Sequence, residues 1–369
     1  MASEKSDSAG KIEELRRKID ALDAEIVRLV NQRAECARGI GELKRASGAG
    51  AFAPARERAV YEQVLALNRG PLPAEAIKAI YREIMSAMLA LERCPRVAYL
   101  GPPGTFSHKA ARSKFGSSVE YHPATSFRDV FLEVSRGHAD YGVVPVENST
   151  EGGVNPAMDC FFESRLKICS EVYIAVHQNL LARCSREAIR TIYSRPEVFG
   201  QCRQWLGANF PHAALLECPS TTAAAERAAA EPGAAAIASD TAAEIYGLTV
   251  LEQAIEDNPE NVTRFVVVGR EPAARTGKDK TSLMFSISDA PGALQGMLEP
   301  FSQRGINLTR IESRPSKRKA WDYYFFVDLE GHLEDPPVKA AIEELAGRCR
   351  HLEVLGSYPA AEALPMPEA

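Results

Sequence analysis

The hydrophobic pattern of the chain changes twice, and each change indicates a different kind of domain. In residues 11–45, apolar side chains recur at a heptad spacing, which is typical of a long helix with an apolar seam. The a and d positions of this heptad are Ile12, Leu15, Ile19, Leu22, Ile26, Leu29, Cys36, Ile40 and Leu43. Such a helix would be about 50 Å long, which is more than one small domain can cover, so we expect it to pair with another chain.

Two shorter helices are predicted after the segment "ASGAGAFAP", whose Gly and Pro residues interrupt the long helix. They lie near residues 55–68 and 73–92. Together with the long helix they predict an all-α domain over residues 8–94.

From residue 96 the pattern alternates short apolar runs with amphipathic helices, which predicts α/β organisation over residues 95–271. The predicted strands are "RVAYLG", "VEYHP", "YGVVPV", "EVYIAVHQNLL", "TIYS", "ALLEC", "AAAIAS" and "FVVVG". The alanine-rich segment "TTAAAERAAAEPGAAA" is a good helix former rather than a disordered tract.

A polar segment with Pro and Gly, residues 270–280, is predicted to be a linker. The elements beyond it follow the order βαββαβ, which is typical of a ferredoxin-like α+β domain, here over residues 280–358. Its strands are "SLMFSIS", "NLTRIES", "WDYYFFVDL" and "LEVLGSY", and its helices are "GALQGMLEPFSQRG" and "VKAAIEELAGRC". The sequence therefore predicts a multidomain protein.

Composition narrows the possible partners. Of the 369 residues, 45% are apolar and 25% are charged, as in ordinary globular proteins, and the net charge of −5 without a long basic run argues against nucleic acid. The start lacks a signal peptide and no stretch is apolar enough to span a bilayer, so we expect a cytoplasmic protein without membrane contact. Eight scattered cysteines and seven histidines show no ligand spacing, so we expect neither a metal nor a cofactor.

The helical part contains a candidate anion site. Arg33 occupies an a position of the heptad, and Lys44 lies three turns later on nearly the same face. A cation in a seam can also extend its charged group into water, so spacing alone supports an anion pocket and a solvated charge about equally. Arg16 points about 100° away from Arg33 and could reach such a pocket only from another chain.

The segments "LRRKIDALDAEIVRLVNQRAECARGIGELK", "RERAV" and "IYREIMSAMLALE" resemble the all-helical chorismate mutase family, over roughly the first 93 residues. The resemblance implies that chorismate is rearranged to prephenate. It also implies a pocket formed by one protomer, with one residue reaching in from its partner. The pocket residues are Arg33, Lys44, Arg56, Glu57 and Glu92, and the partner would supply Arg16.

The chemistry of this reaction suits these residue types. Arginines can hold both carboxylates of chorismate in its compact conformer, and Lys44 can stabilise charge that develops on the ether oxygen. A protonated Glu92 can donate a hydrogen bond to that oxygen, whereas its carboxylate would repel it, so mutase activity is expected to fall as pH rises. Ala53 and Met88 stand where some family members have an acidic residue and a hydroxyl.

In the α/β part, several strands run into helix starts that carry Ser, Thr or Asn. Each such residue alone is more simply an N-cap, but their repetition suggests an anion-binding cleft at the carboxyl ends of the strands. Thr263 and Arg264, just before the apolar run "FVVVG", would add a proton donor and a cation to its rim. The other candidates for substrate contact are Thr105, Ser107, Thr125, Ser126, Ser149, Ser220 and Thr221.

Four motifs in order, "GPPGTFS", "VPVENSTEGG", "SRPEVFGQCRQWL" and "NVTRFVVVG", resemble the prephenate dehydratase family over about residues 96–270. The resemblance implies two α/β lobes around a cleft, similar to type II periplasmic binding proteins. It also implies that prephenate loses CO₂ and hydroxide to give phenylpyruvate, with Thr263 as hydrogen-bond donor or proton relay and Arg264 at a substrate carboxylate. The catalytic residues that it implies are Thr263, Arg264, Glu147, Asn148 and Gln201.

The βαββαβ part, with "GALQ" at its first helix and "ESRP" at the end of its second strand, resembles the ACT domain that binds phenylalanine in these dehydratases. "GALQ" alone could be only a turn, and "ESRP" only a strand end. The resemblance implies side-by-side pairing of ACT domains and feedback inhibition by phenylalanine. Gln295 stands where an apolar residue is more usual. The effector residues that it implies are Gly292, Ala293, Leu294, Glu312, Ser313, Arg314 and Pro315.

The preferred interpretation is a bifunctional enzyme of phenylalanine synthesis that forms a homodimer or a larger homo-oligomer. A non-catalytic sensor of amino acids or small anions would bind these ligands without turnover. A monofunctional dehydratase, in which the helical part only dimerises, is a narrower alternative that Ala53 and Met88 encourage. The joint presence of mutase and dehydratase motifs favours the bifunctional enzyme.

Overall fold

The computed structural model describes residues 2–47, 52–287, 290–315 and 323–362. Side chains of residues 2–9 and 47 are outside the description, as are three residues assigned to strands from the sequence: Ser288, Trp321 and Asp322. None of the helices in the described ranges is both long and apolar enough to cross a membrane.

Three helices form the N-terminal domain: α1 (Ala2–Ser47), α2 (Pro54–Leu67) and α3 (Ala74–Arg93). Helix α1 extends beyond the predicted start, and α2 begins with a proline at its first position, which suits the fixed φ of that residue. Helices α1 and α3 cross closely at Gly41, where a Cβ would lie 2.8 Å from the Cα of Glu92. The crossing therefore brings the end of α3 against the last turns of α1.

The apolar seam of α1 is exposed along most of its length, and Leu43 is 73% exposed. Such a row of large apolar side chains is unusual on the surface of a monomer. Seam residues at least 49% exposed are Ile12, Leu15, Ile19, Leu22, Ile26, Leu29, Ile40 and Leu43.

The first lobe of the α/β part is a six-stranded sheet in which five strands follow the order β2-β1-β3-β11-β5 and β4 pairs with β3. Its strands are β1 (Arg96–Leu100), β2 (Glu120–Ala124), β3 (Tyr141–Asn148), β4 (Gly152–Gly153), β5 (Lys167–Ala175) and β11 (Val262–Gly269). Its helices are α4 (Phe106–Phe115), α5 (Phe127–Ser135) and α6 (Asn155–Phe161). Strand β11 is antiparallel to both of its neighbours, and its central residues are fully buried.

The second lobe is a five-stranded sheet in the order β10-β6-β9-β7-β8. Its strands are β6 (Asn179–Ala182), β7 (Thr191–Ser194), β8 (Ala214–Glu217), β9 (Ala234–Ala238) and β10 (Thr249–Glu252). Its helices are α7 (Pro196–Gln201), α8 (Arg203–Asn209), α9 (Thr221–Ala230), α10 (Asp240–Tyr246) and a 3₁₀ turn, Arg186–Ala188. The sequence did not identify β10 or β4.

The prediction of one strand over "EVYIAVHQNLL" was wrong, because the chain passes between the lobes within this segment and forms β5 and β6 on either side. The return segment runs beside it. The amide of Val176 donates to the carbonyl of Asn261 (2.8 Å), and that of Ile255 donates to the carbonyl of Gln178 (2.8 Å). Two adjacent crossovers thus connect the lobes.

The C-terminal domain is a four-stranded antiparallel sheet in the order β13-β14-β12-β15. Its elements are β12 (Asp279–Ser286), α11 (Ala293–Ser302), β13 (Leu308–Pro315), β14 (Tyr323–Glu330), α12 (Pro336–Arg348) and β15 (His351–Pro359). The predicted βαββαβ order is confirmed. Strand β13 lies at an edge of the sheet, and its residues alternate between partly buried and exposed.

Both terminal domains pack against the first lobe. Phe52, just before α2, packs against Phe115 in a tilted arrangement and against Tyr141 edge to face, with ring centroids 4.7 and 5.3 Å away. On the other side β15 runs along β5, where a Cβ on Gly356 would lie 2.1 Å from the carbonyl oxygen of Ile168. Only glycine fits such an approach of two backbones.

Candidate active sites

A cavity of about 530 Å³ lies among α1, α2, α3 and the end of α4. The resemblance predicted five pocket residues of one protomer, and all five line this cavity: Arg33, Lys44, Arg56, Glu57 and Glu92. Arg82 and Lys114 line it too, and the sequence analysis missed both. Ala53 and Met88, the two departures from the family pattern, also lie in its wall.

The electrostatic centre of this cavity is an ion pair between Lys44 and Glu92. The Nζ of Lys44 lies 2.9 Å from Oε2 of Glu92, whose side chain is only 13% exposed. Glu92 is therefore the counter-ion of Lys44 in this arrangement. The hydrogen bond expected from a protonated Glu92 to the substrate requires this ion pair to open.

Arg16 lies outside the cavity. Its side chain is 71% exposed, and its guanidinium is 4.0 Å from the carboxylate of Glu13 on the same helix. Within one chain, Arg16 does not meet the other predicted pocket residues.

The second candidate site centres on Thr263 and Asn148, which face each other across β11 and β3. The Nδ2 of Asn148 donates to Oγ1 of Thr263 (2.8 Å) and to Oδ1 of Asn261 (2.7 Å). The Oδ1 of Asn148 accepts from the backbone amides of Thr150 and Glu151, each at 3.0 Å. Every polar atom of the Asn148 side chain is thus fixed. Because Thr263 accepts from Asn148, its own hydroxyl proton is left to donate elsewhere.

Arg264 points away from Thr263, since successive residues of a strand face opposite sides of a sheet. Thr263 and Arg264 were expected at the mouth of the strand, but both lie within β11. Arg264 is 4% exposed, and it donates to Oε2 of Glu171 (2.8 Å), the hydroxyl of Tyr358 (2.8 Å) and the carboxylate of Asp328. The expectation that Thr263 and Arg264 meet one ligand does not match this geometry.

The buried charges around Arg264 stabilise one another. Burial lowers the pKa of Arg264, but Tyr358, Asp328 and Glu171 outweigh this and raise it above its ordinary value. For the acid Asp328 burial has the opposite effect and raises the pKa, but the guanidinium of Arg264 outweighs it and holds that pKa below its usual range. Two of these partners, Asp328 on β14 and Tyr358 on β15, belong to the C-terminal domain.

Glu147 connects the second site to this buried network. Its Oε2 lies 3.5 Å from a guanidinium nitrogen of Arg264 and 3.7 Å from Nε of Arg310 on β13. A residue expected in catalysis is therefore in contact with a cation of the C-terminal domain. Arg310 carried no signal in the sequence, because its contact with Glu147 exists only in the folded chain.

Gln201 lies beside the crossovers, on the side of the second lobe. Its Oε1 accepts from Nε2 of Gln178 at 3.2 Å. Gln178 is 2% exposed, and its own Oε1 meets no donor among the described residues. The sequence analysis missed Gln178, although "HQN" sits inside an apolar run where polar residues are unusual. No hydrogen bond within the described ranges joins Gln201 to Thr263 directly.

Most of the predicted hydroxyl residues have local structural roles. Thr105, Ser126 and Ser220 cap α4, α5 and α9 by accepting from backbone amides, as the simpler interpretation holds. The remaining members of the set are accounted for as follows: Thr125 donates to Asp129, Ser149 to the Glu260 carbonyl, Ser107 is buried in α4, and Thr221 begins α9. Cys202 is fully buried, and burial raises the pKa of its thiol to about 12, so it packs rather than reacts.

Contacts between α4 and α10 hold the two lobes together on one side. Nζ of Lys109 lies 2.7 Å from Oδ1 of Asp240, and Arg112 lies 2.9 Å from Glu244. The hydroxyl of Ser239, the N-cap of α10, donates to the carbonyl of Gly104 (2.7 Å). Ser239 had not been identified from the sequence.

The predicted effector residues fall into two groups. Gly292, with φ of 78°, precedes α11, and Ala293 and the exposed Leu294 begin that helix. On β13, Glu312 lies over Gly153 and pairs with Arg310, and Arg314 lies 2.9 Å from Asp159. The side chains of Glu312 and Arg314 therefore face the dehydratase lobe, whereas Ser313 and Pro315 are exposed.

Comparison with known proteins identifies all three parts. Residues 15–93 match type II chorismate mutase, residues 97–273 match prephenate dehydratase, and residues 281–347 match the ACT domain. A bifunctional chorismate mutase/prephenate dehydratase from Aquifex aeolicus is 49% identical over 355 residues, which cover 95% of this chain and 98% of that protein. The chain belongs to the bifunctional chorismate mutase/prephenate dehydratase family. The predicted fold class and the bifunctional activity are confirmed.

Solved structures resemble about three quarters of this chain. A prephenate dehydratase from Arthrobacter aurescens in complex with L-Phe is 35% identical, with a TM-score of 0.67 over 74% of this chain and 93% of that one. GqqA, described as a novel type of quorum quenching acylase, is 30% identical, with a TM-score of 0.66 over 72% of this chain and 98% of that one. Because one fold appears under two named activities, the activity of this chain must be assigned from its site residues rather than from its fold.

Proposed function

We propose that the cavity of the helical domain carries the mutase reaction and that the Thr263–Asn148 pair carries the dehydratase reaction. The observation that supports the first assignment most directly is the convergence of Arg33, Lys44 and Glu92 on one cavity. The second assignment rests on the hydrogen bond from Asn148 to Thr263.

In the mutase reaction, Arg33 and Arg56 bind the carboxylates of chorismate and favour its compact conformer. Lys44 stabilises charge on the ether oxygen as that bond breaks, while another hydrogen of its ammonium group keeps the ion pair with Glu92. The reaction requires no covalent intermediate, so positioning and electrostatics are sufficient.

The mutase acts as a homodimer or larger homo-oligomer whose helices α1 pair along their seams. The exposed apolar residues of α1 support this assembly, because pairing would bury them. In such an assembly Arg16 of one protomer enters the cavity of its partner. Side-by-side ACT pairing along the edge strand β13 is the second expected contact.

In the dehydratase reaction, Thr263 donates a hydrogen bond to the ring hydroxyl of prephenate and relays a proton from solvent to it, so the hydroxyl leaves as water while the ring carboxylate leaves as CO₂. Aromatisation drives the reaction, so the protein chiefly orients the leaving group and supplies a proton. Asn148 holds Thr263 in the donating orientation. Glu147 and Arg264 fix the ends of β3 and β11 from the opposite face rather than binding substrate.

Phenylalanine is the proposed effector of the ACT domain, as the L-Phe complex of the Arthrobacter aurescens relative supports. Binding there acts on the dehydratase through contacts between the two domains, among them those of Arg310 with Glu147 and of Asp328 with Arg264. Inhibition follows if phenylalanine binds an arrangement of these contacts that differs from the active one.

Incubation of the purified chain with chorismate, and separately with prephenate, tests the proposal. Formation of phenylpyruvate from both substrates, with inhibition by phenylalanine, is expected. Affinity without turnover would support a sensor instead, and turnover of prephenate alone would support a monofunctional dehydratase.

A further inference from the structure

One wall of the mutase cavity comes from outside the mutase domain. Lys114 and Phe115, at the end of α4 in the dehydratase lobe, line it together with the helical residues. The Nζ of Lys114 lies 2.9 Å from Oε2 of Glu57, and the side chains of Lys114 and Glu57 are 17% and 14% exposed. A dehydratase cation is thus paired with a carboxylate of the proposed mutase site.

The docking of the domains fixes this lysine in place. Its ammonium lies over the ring of Phe52, 5.6 Å from the centroid, and Phe52 itself packs on Phe115. Helix α3 also binds the residues that follow α4. The amide of Ser117 donates to the carboxylate of Glu83 (2.9 Å), and the amide of Ser118 donates to Oγ of Ser86 (3.0 Å). Contacts on both sides of Lys114 therefore orient it toward the cavity.

The charge of Lys114 matters because the mutase substrate is a dianion. Among the described lining residues, the carboxylates are Glu57 and Glu92, and Lys44 compensates Glu92. Lys114 compensates Glu57 in the same way. Without Lys114, the mostly buried carboxylate of Glu57 would face a doubly negative ligand and repel it.

We propose that Lys114 of the dehydratase domain is a positioning residue of the mutase site, which it completes by neutralising Glu57 and favouring the dianionic substrate. This inference rests on the proposed assignment of the cavity to the mutase reaction. It implies that the mutase depends on the docked dehydratase domain for part of its affinity for chorismate, although the two reactions use different residues.

Steady-state kinetics of full-length variants test this role. Lys114→Gln is expected to raise KM for chorismate about tenfold with a smaller effect on kcat, and Lys114→Arg to stay within about threefold of wild type. The effect of Lys114→Gln is expected to shrink when Glu57→Gln is also present, because the uncompensated carboxylate is then gone. Lys109→Gln, which removes another lysine of α4 that does not line the cavity, should leave the mutase unchanged.

Each alternative result overturns the proposal in a distinct way. If Lys114→Gln matches wild type while Arg33→Ala is inactive as a mutase, Lys114 has no role although the cavity is correctly assigned. If Arg33→Ala is also fully active, the cavity itself is wrongly assigned. If Lys114→Gln lowers mutase and dehydratase activity equally, or Lys114→Arg does not rescue, Lys114 only supports the fold.

Discussion

The Asn148 side chain shows how a single residue can prepare another for chemistry. All of its polar atoms are used, and one of its amide hydrogens occupies the acceptor side of the Thr263 hydroxyl. The hydroxyl proton of Thr263 then has to donate elsewhere, so the pair predisposes Thr263 to act as a donor.

Asn148→Asp should lower dehydratase kcat by about 100-fold, because a carboxylate would accept the Thr263 proton that the reaction needs. Measurement of kcat with prephenate checks this expectation. Mutase activity serves as the control and should remain at the wild-type level. A variant with unchanged dehydratase kcat would contradict the role given to Asn148.

His108 illustrates a titratable residue used for structure. It is stacked on Tyr99 and its Nδ1 accepts from the amide of Gly104 (3.1 Å), which requires a neutral ring. Burial, and to a lesser extent Arg112, lower its pKa to about 4. The folded chain therefore resists protonation of His108 in a pH range where the unfolded chain accepts it.

The sign of the resulting pH dependence follows from that difference. Below about pH 6.5 the unfolded chain binds a proton that the folded chain refuses, so the free energy of unfolding should fall between about pH 6.5 and 4, by up to about 3 kcal/mol. Denaturant unfolding over this range, compared between wild type and His108→Gln, measures the contribution. An identical pH dependence in both proteins would exclude His108 as its source.

At the scale of elements, periodicity in the sequence was sufficient for most of the fold. Each of these elements buries one face of a helix or a whole strand. Burial leaves its mark in the spacing of apolar residues, which gave the heptad of α1, the α/β alternation and the βαββαβ order. Elements were missed where the local sequence is ambiguous. Strand β10 is short. The segment of β5 and β6 has the pattern of one apolar run, although the chain passes from the first lobe to the second within it.

The candidate sites were predictable only in part. Helical spacing singled out Arg33 and Lys44, the family motifs added Glu92, and the structure places all three around one cavity. Strand alternation already implies that Arg264 faces away from Thr263, but its partners were not predictable, since Asp328 and Tyr358 belong to another domain. Contacts between elements distant in sequence leave no local pattern.

The exposed seam of α1 makes a specific prediction about assembly. Arg16→Ala and Arg33→Ala should each be inactive as mutases, yet a mixture of the two should regain about a quarter of wild-type activity. Half of the randomly mixed dimers would be hybrids, and each hybrid would have one cavity with both arginines intact. Mixing after reversible unfolding, followed by a mutase assay, tests this outcome. No recovery would contradict a cavity shared between protomers.

At the scale of the whole molecule, the dehydratase lobe is the part that both other domains contact. Lys114 and Phe115 reach into the mutase cavity, while Glu147 and Arg264 meet the ACT domain. Buried ion pairs such as Arg264–Asp328 add little to the net free energy of unfolding, but removing one partner costs roughly 3–5 kcal/mol. They therefore suit a domain interface that must keep one geometry. The arrangement joins two reactions in one chain while keeping their residues separate.

The separation of the two sites is the central claim, and the products of two variants given chorismate test it most directly. Thr263→Val should convert chorismate to prephenate that accumulates, because only the second site is disabled. Arg33→Ala should make no prephenate from chorismate but should still convert added prephenate to phenylpyruvate. Loss of both activities in either properly folded variant, or of neither, would contradict the account of two independent sites.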